Sequence, residues 1–310
     1  MKHFLSITDL DKNEIWQIFK SAVKMKKELK KRGLNRSVLQ RKSLAMIFEK
    51  PSLRTRVSFE VGMAQLGGHA LYLGPSDIQM GKRETAGDVA KNLSRMTNIM
   101  MARVFDHKTV VELAQNASVP VINALSDLEH PCQAMADLLT VWEHKRKLEG
   151  LTMTFVGDGE NNVTHSLALL CAILGVNFRC GSPSGYKMKR EIVKKVKEEL
   201  QKSGADFLET ADPKKAVRGA DVVVTDTWVS MGDEKELAKR IKIFPPYQIN
   251  RKLMLLAKKD AIFLHCLPAY RGKEVTSEII DGPKSVVLDE AENRLHVQKA
   301  IILYLLGIRY

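Results

Sequence analysis

A segment of basic and hydroxyl residues predicts an anion-binding site in the first third of the chain. It reads Lys50-Pro51-Ser52-Leu53-Arg54-Thr55-Arg56 and joins a strand predicted over residues 44–49 to a helix predicted over residues 54–66. A serine at the helix N-terminus, free backbone N–H groups and two arginines in the first turn would bind a phosphate. The alternative is an ordinary capped helix whose arginines face water, but cations in that turn are unfavourable unless an anion offsets them.

A histidine stands at the start of another predicted helix. The segment His130-Pro131-Cys132-Gln133 follows a strand predicted over residues 119–123 and opens a helix over residues 133–148. Proline suits a first helical turn, His130 could donate a hydrogen bond to a carbonyl oxygen, and Gln133 could hold an amide. A single histidine is more often structural, so the motif alone leaves both interpretations open. Zinc is less favoured, because no second pair of ligands lies at metal-binding spacing.

A glycine-rich turn follows the first predicted strand of the second half. Gly157-Asp158-Gly159 mimics a dinucleotide-binding fingerprint, but Asn162 replaces the third glycine and no acidic residue ends the next strand. Binding of a nicotinamide dinucleotide is therefore the weaker interpretation. Asn162 is better suited to present its amide to a polar ligand.

Two later strand ends carry further polar groups. Asp226 follows one strand, and Ser230-Met231-Gly232 follows closely, so the pair of segments could bind the ammonium and carboxylate of an amino acid. The alternative is an ordinary loop anchored by Trp228. His265-Cys266-Leu267-Pro268 closes another strand and places Cys266 where parallel sheets bind small ligands. A buried, inert cysteine is the usual alternative, and the bond before Pro268 is a candidate for the cis form.

Alternating short strands and helices must position these motifs. Strands are predicted at residues 44–49, 70–73, 99–104, 119–123, 151–157, 177–180, 206–208, 222–225, 262–265 and 286–288. This alternation predicts the α/β class, with two open parallel-sheet α/β domains, helices on both faces, and the active site in the cleft between them. Glu149-Gly150 is the natural domain boundary.

The composition predicts a globular protein in a reducing compartment. Hydrophobic residues make up 45% of the 310 residues, and the four cysteines form no CxxC pair. Apolar runs stay well below the roughly 18 residues of a membrane helix. We therefore expect a cytoplasmic protein without a membrane association. The net charge of +13 suits nucleic acid, an anionic surface or small anionic substrates. The lysine-rich predicted helices also carry glutamates, as solvated faces do, so we expect no nucleic-acid partner.

Taken together, the motifs resemble one known family. Ser52 to Arg56, His130 to Gln133, Asp226 with Ser230 to Gly232, and His265 to Pro268 are similar, in that order, to the motifs of the aspartate/ornithine carbamoyltransferase family, and Arg294 extends the match. The Ser-Met-Gly loop and the His-Cys-Leu-Pro turn resemble the ornithine-specific members, since aspartate-specific members have His-Pro-Leu-Pro at that turn, with proline where this chain has Cys266.

The resemblance implies an activity and an architecture. The carbamoyl group of carbamoyl phosphate would pass to the δ-amine of L-ornithine, giving L-citrulline and phosphate, with no metal or cofactor. Residues 1–148 would form the carbamoyl-phosphate-binding domain and residues 149–290 the ornithine-binding domain, with a final helix over roughly residues 291–310 packing back on the first. Family members are homotrimers or multiples of trimers, with sites at subunit interfaces.

The resemblance also assigns roles to the matching positions. Cys266, Arg103 and His130 would be catalytic. Carbamoyl phosphate would contact Ser52, Leu53, Arg54, Thr55, Arg56, Gln79, Arg103, His130, Pro131, Cys132, Gln133, Cys266, Leu267 and Arg294, with Gln79 reaching into a neighbouring subunit's site. Asn162, Asp226, Ser230 and Met231 would bind ornithine. We further expect Cys266 and Asp226 to favour or accept loss of the amine proton.

Two positions depart from the family pattern, which commonly has threonine at Leu53 and histidine at Tyr270.

Other functions remain as alternatives. A sister enzyme could act on putrescine or an N-acylated ornithine, although putrescine lacks the carboxylate that the Ser-Met-Gly loop would bind. A dehydrogenase using the glycine-rich turn and a basic nucleic-acid binder are the alternatives from other classes.

Overall fold

The chain folds into two compact units. The structure is a computed structural model and describes residues 1–229 and 234–310. The first unit comprises Met1–Met135 together with Glu292–Tyr310, and the second comprises Ala136–Ala291. The described helices include none that is both long and apolar enough to cross a membrane.

The first unit is built on a parallel sheet of strand order β2-β1-β3-β4. Its elements are α1 (Lys12–Arg32), β1 (Ser43–Phe48), α2 (Leu53–Gln65), β2 (His69–Leu73), α3 (Pro75–Ile78), α4 (Ala86–Ser94), β3 (Ile99–Arg103), α5 (His107–Asn116), β4 (Val121–Leu125) and the start of α6 (Pro131–Lys145). Buried residues of β1 and β3 pack against the apolar faces of α4 and α5. The residues of β3 and β4 are buried throughout, as expected for strands covered on both faces.

The second unit contains a parallel sheet of strand order β7-β6-β5-β8-β9. Its elements are β5 (Thr152–Val156), α7 (Asn162–Leu174), β6 (Asn177–Gly181), α8 (Arg190–Ser203), β7 (Phe207–Thr210), α9 (Pro213–Val217), β8 (Val222–Thr225), α10 (Leu237–Ile243), α11 (Arg251–Met254), β9 (Ile262–His265), α12 (Ser277–Ile280) and the start of α13 (Val287–Leu305). Helix α7 is capped after Leu174 by Gly175, whose φ of +76° is the left-handed conformation that glycine adopts most readily.

Each sheet reverses its strand order at one point, and this decides where polar loops gather. In the first unit the order reverses between β1 and β3, and in the second between β5 and β8. Ligands of open α/β sheets bind beyond the carboxyl ends of the strands at such points. The segment after β1 and the end of β3 therefore form one candidate site, and the turns after β5 and β8 form another.

The predicted α/β class, with two parallel sheets, is confirmed. The strand predicted over residues 286–288 is wrong, because helix α13 begins at Val287. Just before this helix, Ser285 makes a single β-bridge to Phe263 of β9. A run of three apolar residues has no distinguishing period, so it suits the buried start of a helix as well as a strand.

Candidate active site

Helix α2 begins with a built N-terminal cap at the end of β1. Ser52 is the N-cap residue, and its Oγ accepts a hydrogen bond from the Thr55 backbone N–H at 3.3 Å. The Ser52 hydroxyl also donates to Thr55 Oγ1 at 3.0 Å. The N-terminus of this 13-residue helix carries the partial positive charge that favours an anion.

Two arginines from distant parts of the chain meet at Thr55. Arg103, the last residue of β3, donates from Nη1 to Thr55 Oγ1 at 3.4 Å, and Arg294 of α13 donates from Nη2 to the same oxygen at 2.7 Å. Both arginines are almost fully buried. Two guanidinium groups beside a helix N-terminus form a pocket of positive charge suited to a phosphate.

Three other residues predicted to bind carbamoyl phosphate face outward. The Leu53 side chain is 75% exposed, so the side chain that replaces the common threonine extends into solvent. Arg56 donates to Glu60 at 3.2 Å, and its guanidinium lies 4.0 Å from the centroid of the Tyr72 ring. Gln79 is also exposed and adopts a left-handed conformation at the end of α3. Leu53, Arg56 and Gln79 therefore lie at the surface of the unit.

His130 is buried among these positive charges. Burial lowers its pKa well below 6.5, and the charges of Arg294, Arg103 and Arg54 lower it further. The imidazole is therefore neutral at pH 7. A neutral imidazole donates through one nitrogen and accepts through the other, so it can donate to a carbonyl oxygen without carrying a charge.

Helix α6 begins at Pro131, directly after His130. The backbone carbonyl of His130 accepts a hydrogen bond from the backbone N–H of Gln133 at 3.0 Å. Gln133 is fully buried. The Cys132 thiol donates to the backbone carbonyl of Asn123 at 3.5 Å, and burial raises its pKa to about 12. This thiol therefore packs against β4 and stays protonated.

In the second unit, Asp226 is the centre of a hydrogen-bonded cluster. Its Oδ1 accepts from the Cys266 thiol at 3.0 Å and from the Thr227 backbone N–H at 2.7 Å. Its Oδ2 accepts from the side-chain amide of Asn161 at 2.9 Å. Burial and the adjacent Asp226 carboxylate raise the pKa of Cys266 well above its ordinary value. Cys266 is therefore a thiol, not a thiolate.

The turn after β9 is held by a buried histidine and glutamate. His265 Nδ1 accepts the Leu267 backbone N–H at 2.9 Å, and its Nε2 lies 3.3 Å from Glu274 Oε1. The Leu267–Pro268 bond is cis. Asp226, His265 and Cys266 bring three possible metal-ligand atoms within 4.8 Å of one another. Both histidine nitrogens already have protein partners, so this set is poorly prepared to bind a metal.

Two of the predicted amino-acid-binding residues, Asn162 and Asp226, lie among the described residues of the second unit. Ser230 and Met231 lie outside the described residues. Asn162 is the first residue of α7, whereas Asn161 is its N-cap and contacts Asp226. Sequence reasoning missed Asn161. An asparagine directly before an apolar helix is an N-cap signal that could have found it.

A parallel α/β fold with a buried pair of guanidinium groups at a helix N-terminus is the arrangement of an enzyme that takes a phosphorylated substrate. Residues 2–143 match the carbamoyl-phosphate-binding domain, and residues 149–305 the aspartate/ornithine-binding domain, of aspartate/ornithine carbamoyltransferases. The chain belongs to the aspartate/ornithine carbamoyltransferase family.

Individual relatives are similar over their whole length. The ornithine carbamoyltransferase of Pyrococcus abyssi is 52% identical over 306 residues, which cover 99% of this chain and 96% of that protein. The structure of ornithine carbamoyltransferase from Pyrococcus furiosus superposes with a TM-score of 0.95 at 50% identity, covering 100% of this chain and 98% of that one. The anabolic enzyme from Campylobacter jejuni superposes with a TM-score of 0.92 at 43% identity, covering 98% and 99%.

Proposed function

We propose that this protein transfers the carbamoyl group of carbamoyl phosphate to the δ-amine of L-ornithine, giving L-citrulline and phosphate. The observation that carries the proposal is the junction of Arg103 and Arg294 at Thr55 beside the α2 N-terminus, with the neutral His130 buried among the same charges. The relatives named above, all ornithine carbamoyltransferases, favour ornithine as the acceptor.

The positive groups of the first unit match the charge that develops in this reaction. When an amine attacks the carbonyl carbon, negative charge collects first on the carbonyl oxygen and then on the leaving phosphate. Fixed donors that already point at these positions stabilise the transition state. In our proposal the neutral His130 and Arg103 donate to the carbamoyl oxygen, Gln133 holds the carbamoyl amide, and Arg294 with the α2 N-terminus binds the phosphate.

The remaining predicted contacts complete the same site. We propose that Ser52, Arg54, Thr55 and Arg56 bind the phosphate and that Leu53 contributes its backbone N–H. Pro131 and Cys132 would shape the pocket through the start of α6, since the Cys132 thiol packs against β4. Leu267 and Cys266 would lie beside the carbamoyl group.

The amine must lose a proton before it attacks, because a terminal ammonium has a pKa of about 10. Since Cys266 retains its proton, the Asp226 carboxylate is the member of this pair that can accept one or bind the substrate ammonium. In our proposal Asp226, Asn162, Ser230 and Met231 bind ornithine, and Asn161 fixes the orientation of the Asp226 carboxylate.

We assign residues 1–148 with the final helix to carbamoyl phosphate and residues 149–290 to ornithine. We also propose a cytoplasmic homotrimer, or a multiple of trimers, in which Gln79 contributes to a neighbouring subunit's site. An apolar stripe on α2 supports the assembly: Leu53, Val57 and Val61, spaced four residues apart on one helix face, are all exposed.

The test is formation of the carbamoylated product from carbamoyl phosphate, with ornithine, putrescine, N-acetylornithine and aspartate offered separately. We expect turnover with ornithine alone. Turnover with a different amine would retain the phosphate site and overturn the ornithine contacts. Absence of turnover with all four amines would refute the enzyme assignment.

A further inference from the structure

A lysine with no role in the proposed chemistry is fully buried in the first unit. Lys299, on α13, is 0% exposed. Its Nζ donates to Asn35 Oδ1 at 2.8 Å and to Gln65 Oε1 at 2.7 Å. Burial lowers its pKa to about 8, while the charges of Glu28 and Glu292 oppose that shift. Burying an ammonium is unfavourable unless hydrogen bonds compensate it, so the two amide contacts are needed to hold it there.

These contacts connect three helices. Gln65 is the last residue of α2, the helix whose first turn forms the anion site. Asn35 follows α1, and its side-chain amide donates to the backbone carbonyl of Met25 in α1 at 2.9 Å. Lys299 therefore joins α13 to the C-terminal end of α2 and, through Asn35, to α1.

Helices α2 and α13 are also joined by a second side-chain hydrogen bond, and they pack closely against each other at a glycine. Arg294 of α13 donates to Thr55 at the opposite end of α2, about 15 Å from Gln65 along the helix. Between them, a Cβ on Gly62 would lie 3.2 Å from Lys299 Cγ and 3.5 Å from Leu295 Cδ1. The absence of a side chain at Gly62 lets α13 lie close against α2.

We propose that Lys299 is a positioning residue for the carbamoyl-phosphate site. It fixes the register of α13 on α2, and thereby holds the Arg294 guanidinium at Thr55. Arg294 reaches its partner with a long, flexible side chain, so a shift of its helix by a fraction of an ångström changes the geometry at the phosphate. The Gln65 contact prevents that shift. This inference rests on the proposed function.

The test is the variant Lys299→Met, which keeps the unbranched apolar stem and removes the two hydrogen bonds. We expect KM for carbamoyl phosphate to rise about tenfold, with KM for ornithine unchanged, because only the first substrate's site is disturbed. Calorimetry with inorganic phosphate should show the same loss of affinity without turnover. Gln65→Met removes the contact from the α2 side and should reproduce the effect if Lys299→Met folds poorly.

A double-mutant cycle separates positioning from general destabilisation. In an Arg294→Ala background, Lys299→Met should raise KM for carbamoyl phosphate no further, because the residue that it positions is already absent. The matched control is Lys26→Met. Lys26 also binds α13, donating to Asn293 Oδ1 at 2.8 Å, but from α1. We expect this control to leave KM for carbamoyl phosphate unchanged.

Three outcomes would overturn the inference while the wild-type enzyme still forms citrulline. The first is that Lys299→Met and Gln65→Met both leave KM for carbamoyl phosphate and the affinity for inorganic phosphate unchanged. The second is that Lys299→Met raises this KM as much in the Arg294→Ala background as in the wild type. The third is that Lys26→Met raises it as much as Lys299→Met does. Failure of the proposed function is distinguishable, because the wild-type enzyme would then form no citrulline.

Discussion

At the residue scale, the two candidate catalytic side chains have opposite pKa shifts for the same physical reason. Burial disfavours the charged form of each, so the pKa of His130 falls and that of Cys266 rises. In each case a neighbouring charge has the same sign as the ionised side chain and reinforces the shift. Arginines surround the histidine, and a carboxylate lies beside the cysteine. Both side chains are consequently neutral hydrogen-bond donors at pH 7.

The lowered pKa of His130 predicts a pH dependence of stability. Histidine in the unfolded chain binds a proton near pH 6.5, whereas the folded protein resists it. The unfolded state therefore binds more protons below that pH, and folding stability contributed by neutral His130 is lost as the pH falls. We expect the Tm of the wild type to drop more steeply between pH 7 and 5 than that of His130→Asn. His69→Asn, at an exposed position on β2, should keep the wild-type slope, and equal slopes in all three proteins would contradict the prediction.

The protonated state of Cys266 predicts the behaviour of Cys266→Ser. A serine hydroxyl keeps a donor toward Asp226, so we expect kcat to fall by less than about tenfold and the pH–rate profile to keep its shape. Cys266→Ala removes the donor and should cost more. A limb of the profile that moves in Cys266→Ser would mean that the thiol itself ionises during turnover.

At the element scale, helix α2 serves two purposes at its N-terminus. Ser52 satisfies the Thr55 N–H, and the dipole of the helix favours an anion beside the same turn. In the proposed function, a bound phosphate would offset the charge of Arg54 in this turn, whereas Arg56 already pairs with Glu60.

We expect Ser52→Ala to lower the free energy of unfolding by about 1 kcal/mol and also to raise KM for carbamoyl phosphate. Thr85→Ala is the matched control, because Thr85 caps α4 in the same way, accepting the Asp88 N–H at 3.0 Å. The control should lose similar stability with KM unchanged. Denaturant unfolding and initial-rate kinetics measure the two effects, and a KM rise common to both variants would count against a phosphate at α2.

At the scale of the whole molecule, the exposed stripe of α2 predicts an association surface. Val57 and Val61 are 48% and 38% exposed, and Leu71 on the edge strand β2 is 40% exposed. Branched apolar side chains on one face of a helix next to a sheet edge are unusual on a monomer's surface. Their burial against another copy would explain them.

We expect Val57→Glu combined with Val61→Glu to dissociate the proposed trimer and abolish most of the activity, because the introduced carboxylates cannot be buried at an interface without a partner. Light scattering coupled to size-exclusion chromatography measures the mass. Leu255→Glu, at a 72% exposed position in the second unit, is the control and should leave mass and activity unchanged. A trimer that survives the double substitution would exclude this face.

The order of the elements, and the strand ends at which polar segments stand, could be predicted from the amino-acid sequence. Those features depend on local patterns: buried apolar runs for strands, helical periods, and polar or proline residues at the turns. Ser52 at an N-cap and Asp226 at the end of a parallel strand follow from such patterns. Patterns of this kind also misassigned residues 286–288, where the apolar run is too short to have a period.

Which side chains contact one another could not be predicted in this way, because it depends on the folded chain. Arg294 lies 239 residues from Thr55 along the chain, and the Asn161 side chain donates to Asp226 across 65 residues. Neither the burial of Lys299 nor the neutral state of His130 has a local signature. Such contacts and charges depend on how helices pack on sheets and on the removal of water from particular groups, and both are properties of the folded molecule as a whole.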